Sequence, residues 1–329
     1  MRIALDAMGG DFAPAEIVKG AVEAATAQPE LEIFLVGVPQ AIETSGVKLP
    51  ANVSIHRANE VIGMDEHPAT AIRRKKDASI VVATRLVKEG KADAVVSAGN
   101  TGAQMAAALL GLGRIKGIER PAIATVLPTA QGGKLVLDVG ANADAKPQHL
   151  YQYGVMGSIY AEKILHISNP RVALLNIGSE ETKGSELALA AYELLKQAPV
   201  NFTGNIEGRE VPRGEADVVV CDGFVGNVVL KFAEGMAVTL FEMIKEQITS
   251  TPWRKLGAGM VKPGLKQVAK VLDYAEYGGS PLLGVEGVSI VCHGSSKAKA
   301  IKNAVRVAAE CVQSGYLEEI KDNLREGKA

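Results

Sequence analysis

Short apolar runs recur along this chain, and most of them stop at a cluster of Gly, Asn, Asp, Ser or Lys before a helical pattern begins. Runs without polar alternation suit strands buried on both faces, and their alternation with helices demands parallel βα crossovers. The fullest example is the run at 172–175, followed by Asn176-Ile177-Gly178-Ser179-Glu180-Glu181-Thr182-Lys183-Gly184-Ser185. A helix then spans 187–196, with Ser185 placed to cap it. Lys183 therefore falls between a strand's carboxyl end and a helix's amino end. Ligands bind at that edge of open α/β sheets, and helix amino ends favour anions. A lysine beside the positive end of a helix dipole costs stability unless an anion shares the site. A solvent-facing loop lysine is the competing reading.

The formal net charge of -1 gives no whole-chain pull towards nucleic acid or membrane, so any such contact must be local. Only 4% of residues are aromatic, in keeping with close-packed parallel sheets covered by helices. Cys221, Cys292 and Cys311 show neither CxxC nor metal-ligand spacing and read as small buried residues of a reducing cytosol. The start, Arg2-Ile3-Ala4-Leu5-Asp6, reads as a strand and lacks the apolar core of a signal peptide. No unbroken stretch of about 20 apolar residues is evident. The expectation is a soluble cytoplasmic protein, at most peripheral to a membrane.

Further strands are expected at 3–7, 31–36, 53–56, 94–96, 123–127, 135–139, 201–206, 217–220 and 288–291. Helices are expected after Pro14, at 79–89, at 105–112 with Thr101 as cap, at 147–166 and at 297–313. Gly278-Gly279-Ser280-Pro281 reads as a loop. The fold class is therefore α/β: a doubly wound, mostly parallel sheet in one domain over 1–329. A helical hairpin leaves it at 228–275, with apolar stripes at three- and four-residue spacing and a break at 249–264.

The strand ends share one vocabulary: Asp6 with Gly9 and Gly10; Gly99-Asn100-Thr101-Gly102; Asp138 with Gly140 and Asn142; Lys183; Asp222 with Gly226-Asn227; and His293-Gly294-Ser295-Ser296. Glycines let backbone approach a ligand, while backbone N–H groups with Ser, Thr, Asn and Lys side chains bind oxyanions. Each cluster alone is also a tight-turn signal; several on one edge point to a phosphate or carboxylate site. Neither GxGxxG after the first strand nor GxxxxGK[ST] occurs, and no GxSxG elbow exists. Asp6, Asp138 and Asp222 either converge on a metal or hold backbone turns. No metal and no cofactor are expected.

Five ordered motifs carry a resemblance. They are Asp6-Ala7-Met8-Gly9-Gly10-Asp11, Ser97-Ala98-Gly99-Asn100-Thr101-Gly102-Ala103, Asn176-Ile177-Gly178-Ser179-Glu180 with Lys183-Gly184, Asp222-Gly223-Phe224-Val225-Gly226-Asn227 and Gly279-Ser280-Pro281-Leu282-Leu283-Gly284. Over essentially its full length the chain resembles the bacterial phosphate acyltransferases of phospholipid synthesis. The resemblance implies transfer of an acyl group from acyl carrier protein to inorganic phosphate, feeding a downstream glycerol-3-phosphate acyltransferase. It also implies a fold like the isopropylmalate dehydrogenase and phosphotransacetylase group, a homodimer, and peripheral attachment to the cytoplasmic membrane. The family's catalytic lysine and asparagine fall on Lys183 and Asn227. Phosphate or pantetheine contacts are expected from Asp6, Gly9, Gly10, Asn100, Thr101, Asp222, His293 and Ser295.

Competing activities are a metal-dependent dehydrogenase, a phosphotransacetylase, and a non-catalytic membrane scaffold. Two surface features bear on partners. The basic run Arg73-Arg74-Lys75-Lys76 suits docking of an acidic carrier or is a solvated helix face. The hairpin tip places Trp253, Leu256, Met260 and Val261 beside Arg254, Lys255 and Lys262, the pattern of an interfacial membrane anchor. Packing against a second subunit is the alternative for the tip.

Overall fold

The apolar runs become eleven strands in a computed structural model that describes residues 1–325; residues 326–329, the last of the expected domain, lie outside the described residues. The strands are β1 (Arg2–Asp6), β2 (Glu32–Gly37), β3 (Val53–Arg57), β4 (Ala94–Ser97), β5 (Ala122–Thr129), β6 (Gly132–Leu137), β7 (Arg171–Asn176), β8 (Asn201–Glu207), β9 (Val218–Val220), β10 (Ser280–Leu283) and β11 (Val288–Val291). The helices are α1 (Ala15–Ala27), α2 (Pro39–Thr44), α3 (Pro68–Arg74), α4 (Ser79–Lys88), α5 (Thr101–Gly111), α6 (Pro147–Lys163), α7 (Glu186–Leu195), α8 (Gly223–Thr249), α9 (Pro252–Leu272), α10 (Tyr274–Tyr277), α11 (Ala298–Ser314) and α12 (Tyr316–Arg325).

Strand order is β3-β2-β1-β4-β11-β10-β5-β6-β9-β7-β8. Two parallel blocks, β3-β2-β1-β4-β11 and β6-β9-β7-β8, flank the antiparallel pairings β11–β10, β10–β5 and β5–β6. Alternate residues of each strand face opposite layers, as the pleat requires. Ile3 and Leu5 join a core with Ile17 and Val18 of α1 and Ile301 of α11, whereas Ala4 packs with Ile80 and Ala83 of α4. In the second block, Leu135, Leu137, Val218 and Val220 meet Tyr153 and Met156 of α6, and Val136 and Val219 face the other way. The result is the expected α/β/α sandwich.

A buried ionic staple holds the amino ends of the second block in register. Asp217 accepts from Lys134 Nζ at 2.7 Å and from Arg171 Nε at 3.0 Å. Burial alone would raise the Asp217 carboxyl, but hydrogen bonds from Arg171 and Lys134 outweigh it and hold its pKa down at about 2.

Several expectations are corrected. Residues 280–283 form β10 rather than a loop, because Pro281 sits in a short strand that pairs partly with β11 and partly with β5. Asn100, not Thr101, caps α5, accepting the Ala103 N–H at 3.0 Å. The hairpin helix α8 begins at Gly223, inside the sheet edge, and the expected break at 249–264 shrinks to a turn before α9. Pro252 starts α9 without disruption, since a first-turn proline has no N–H to lose. Helix α8, 27 residues long and mostly unburied, is also long and apolar enough, by length and composition alone, to cross a membrane. Scattered charges such as Lys231 and Glu234 had masked this in the sequence.

Candidate active site

The loops after β1, β4 and β11 form one wall. Asp6, fully buried at the end of β1, accepts from the Met8 N–H at 3.1 Å and from Ser97 Oγ at 2.7 Å. Ser97 Oγ in turn accepts the Gly99 N–H at 3.0 Å. A Cβ on Gly9 would lie 2.7 Å from the Gly99 nitrogen, so only glycine lets the two loops touch. Gly10 has φ +107°, and the Gly294 carbonyl accepts the Asp11 N–H at 2.8 Å, which brings in the third loop. Burial pushes the Asp6 carboxyl above its usual range, opposed by the hydroxyls of Ser79 and Ser97 and by backbone N–H groups. Asn100 is committed to structure: its amide donates to the carbonyls of Met64 at 2.8 Å and Glu66 at 3.3 Å while its oxygen caps α5. Thr101 stands exposed at the first position of that helix.

The loops after β6, β9 and β7 form the other wall. Asp138 accepts the N–H groups of Ile123, Gly140, Ala141 and Asn142 at 2.7–3.2 Å, shaping the turn beside which α8 starts. Asp222 caps α8 through the N–H groups of Phe224 at 3.0 Å and Val225 at 2.9 Å. Gly223 donates to the Asn142 carbonyl at 2.8 Å, and any side chain on Gly226 would overlap the Asp138 carbonyl oxygen. These contacts pin the first turn of α8, which presents Asn227 to solvent beside Gly140. Cys221, buried at the end of β9, has its thiol pushed up by burial and is no nucleophile.

Lys183 occupies the loop after β7. Asn176 fixes that loop by donating to the Lys183 carbonyl at 3.0 Å, and Asn205 of β8 donates to the Glu180 carbonyl at 2.8 Å. Ser185 caps α7 as expected, accepting the Ala188 N–H at 3.3 Å. The Lys183 side chain is exposed and has no carboxylate partner among the described residues.

The two walls stand on strand blocks of opposite sense, so they do not share one edge of a uniformly parallel sheet as the sequence suggested. Sheet twist reconciles this: six pairings separate β1 from β9, and at about 20–25° each the accumulated rotation is roughly 120–150°. Helix α8 spans the gap. Lys231, one turn beyond Asn227, places Nζ 3.0 Å from His293 Nε2 and 2.9 Å from Glu234 Oε2. His293 Nδ1 lies 2.7 Å from Ser295 Oγ. Lys231 lies outside the strand-end motifs; its signal in the sequence is a lysine four residues after Asn227, on the same face of one helix.

Asp6, Asp138 and Asp222 each hold a backbone turn, and no group of three or more His, Cys, Asp or Glu side chains among the described residues is placed to hold a metal. The basic run 73–76 ends α3. Lys75 is tied to Glu66 at 2.6 Å and to the Val61 carbonyl at 2.7 Å, leaving Arg73, Arg74 and Lys76 exposed. On the hairpin, Trp253, Leu256, Met260 and Val261 are 85%, 69%, 83% and 53% exposed on the first turns of α9, so they form a helical face rather than a loop.

Exposed Lys183 and Asn227 stand at strand ends whose loops are fixed by capping and turn contacts, and the chain has close likenesses among known proteins. A family model described as fatty acid synthesis protein matches residues 1–319. The phosphate acyltransferase of Desulfitobacterium hafniense (strain DSM 10664 / DCB-2) is 68% identical over 327 residues, covering 98% of each chain. That of Heliobacterium modesticaldum is 64% identical over 330 residues, again covering 98% of each. A phosphotransacetylase from Streptococcus pyogenes shares the fold at a TM-score of 0.64 and 17% identity, over 95% of this chain and 94% of that one. The chain belongs to the bacterial phosphate acyltransferase family of fatty acid synthesis proteins.

Proposed function

We propose that the protein transfers an acyl group from acyl carrier protein to inorganic phosphate, releasing acyl phosphate for glycerol-3-phosphate acylation in phospholipid synthesis. The observation that carries this reading is the exposed, unneutralised Lys183 on the same strand edge as Asn227, with both backbones held in place by capping and turn contacts. Hydrogen phosphate is already an anionic nucleophile, so the site needs no serine or cysteine of its own. One phosphate oxygen attacks the thioester carbonyl, the C–O bond forms, and the tetrahedral oxyanion collapses with cleavage of the C–S bond. The phosphate proton ends on the departing thiol. Lys183 supplies positive charge to the phosphate, and the Asn227 amide donates to phosphate or oxyanion. Gly10 lets backbone approach an anion, while Gly9 packs its loop against Gly99. Asp6, Asn100 and Asp222 act by holding the loops, with Thr101, His293 and Ser295 at the opening.

The hairpin supports two further parts of the proposal. Phe224, Val228, Phe232, Met236, Leu240 and Ile244 recur every four residues along α8, and all are at least 40% exposed, a stripe suited to a second copy in a homodimer. The tip, with Trp253 and Leu256 beside Arg254 and Lys255, suits peripheral contact with an anionic membrane from the cytoplasmic side. The test of the activity is incubation of pure protein with phosphate and, in parallel, a long-chain acyl carrier thioester or acetyl-CoA. Acyl phosphate from the carrier thioester is expected; turnover of acetyl-CoA alone would mark a phosphotransacetylase.

A further inference from the structure

Outside this edge lies a second concave surface whose charge is mostly of one sign. It is a cleft of about 430 Å³ lined by Arg114, Glu119, Arg120, Lys146 and His149. Its carboxylate is already engaged: Glu119 Oε2 lies 3.0 Å from Nε2 of His149, a buried side chain whose Nδ1 accepts the Lys146 N–H at 3.0 Å. Arg114 donates to the Glu119 carbonyl oxygen and not to its carboxylate. Arg114, Arg120 and Lys146 are exposed, and none pairs with a carboxylate among the described residues. The cleft shares a loop with the active edge. Asn142, four residues before Lys146, donates to the Pro121 carbonyl at 2.6 Å, next to Arg120, and accepts the N–H that starts α8. An object seated on these cations therefore lies beside the loop that positions Asn227.

We propose that this cleft docks an acidic protein, the carrier that presents the acyl thioester, with its carboxylates set against Arg114, Arg120 and Lys146. The inference rests on the carrier-thioester reading above. Exposed cations on two separate segments, the α5–β5 connection and the residue before α6, without a glycine-lined backbone cradle, suit a surface of carboxylates better than one compact anion. Such a surface steers an acidic partner and orients it as it arrives.

The test is charge reversal in Arg120→Glu with Lys146→Glu, and separately Arg114→Glu. Michaelis constants are read for the acyl carrier thioester, for a protein-free acyl pantetheine thioester, and for phosphate. The expected result is a rise of about tenfold or more for the carrier thioester, with a flattened salt dependence and the other two constants unchanged. An unchanged constant for the carrier thioester overturns the proposal. So does an equal rise for phosphate, which would mark a small-anion site, or a larger effect from Arg73→Glu with Arg74→Glu. Direct titration of the full-length variants with unacylated carrier protein, with circular dichroism as a folding control, tests docking independently of turnover. If the unaltered protein binds carrier but makes no acyl phosphate, the functional reading fails while the docking surface stands.

Discussion

Lys231 Nζ and His293 Nε2 stand 3.0 Å apart, and this contact joins the two walls of the candidate site. A lysine ammonium only donates, so His293 Nε2 is the acceptor in that contact, while Nδ1 lies 2.7 Å from Ser295 Oγ and accepts the Ser295 N–H at 3.3 Å. The fold thus brings a lysine from α8 to the loop after β11, across strands that run in opposite senses.

Lys231→Ala is expected to lower kcat/KM for phosphate by roughly 10- to 100-fold, the range for losing a hydrogen bond from a charged group. Thermal melting checks that the fold survives. Unchanged kcat/KM would leave the Lys231–His293 contact without a role in turnover.

Lys183→Ala and Asn227→Ala are each expected to cost roughly 100- to 1000-fold in rate, as for removal of one preorganised donor to a developing charge. Both side chains are exposed, so the variants should fold and melt like the parent. Near-normal turnover by soluble Lys183→Ala protein would remove it from the chemistry.

The staple at Asp217 sets an acid limit on stability. Its folded pKa, about 2, lies below the ordinary aspartate value of about 4, so its contribution is present above about 4 and is lost as pH falls towards 2. Asp217→Asn should destabilise the protein by about 3–5 kcal/mol at pH 7, leaving Lys134 and Arg171 unpaired. Urea denaturation at pH 7 and pH 3 should show that gap narrowing at the lower pH; a gap that widens would contradict the assignment.

The apolar runs at 3–7, 94–96 and 172–175 were legible as strands because they are buried on both faces, and the Ser185 cap because its geometry is local. The opposite sense of the two blocks was not legible. It depends on β10, whose Pro281 and preceding Gly278 and Gly279 look like loop residues, and on its antiparallel pairing, which leaves no trace in local pattern. Asn100 and Thr101 are both favoured capping types, and backbone geometry settles the cap on Asn100. In α9, Gly257, Gly259, Pro263 and Gly264 broke the helical pattern although the segment is helical throughout.

The hairpin tip makes a separate prediction. Trp253 and Leu256 present large apolar faces to solvent, and Trp253→Ala with Leu256→Glu should release the protein from anionic vesicles in a sedimentation assay. Acyl phosphate synthesis in solution should persist. Vesicle binding that survives the double substitution would place any membrane contact elsewhere.

Direct attack by phosphate is tested by mixing the protein with a long-chain acyl carrier thioester, with and without phosphate. Free carrier thiol is counted while phosphorus NMR follows the product. The expected result is thiol release only when phosphate is present, with one acyl phosphate formed for each thiol. A burst of thiol stoichiometric with protein in the absence of phosphate would reveal an acyl-enzyme and contradict direct transfer, as would thiol release without acyl phosphate.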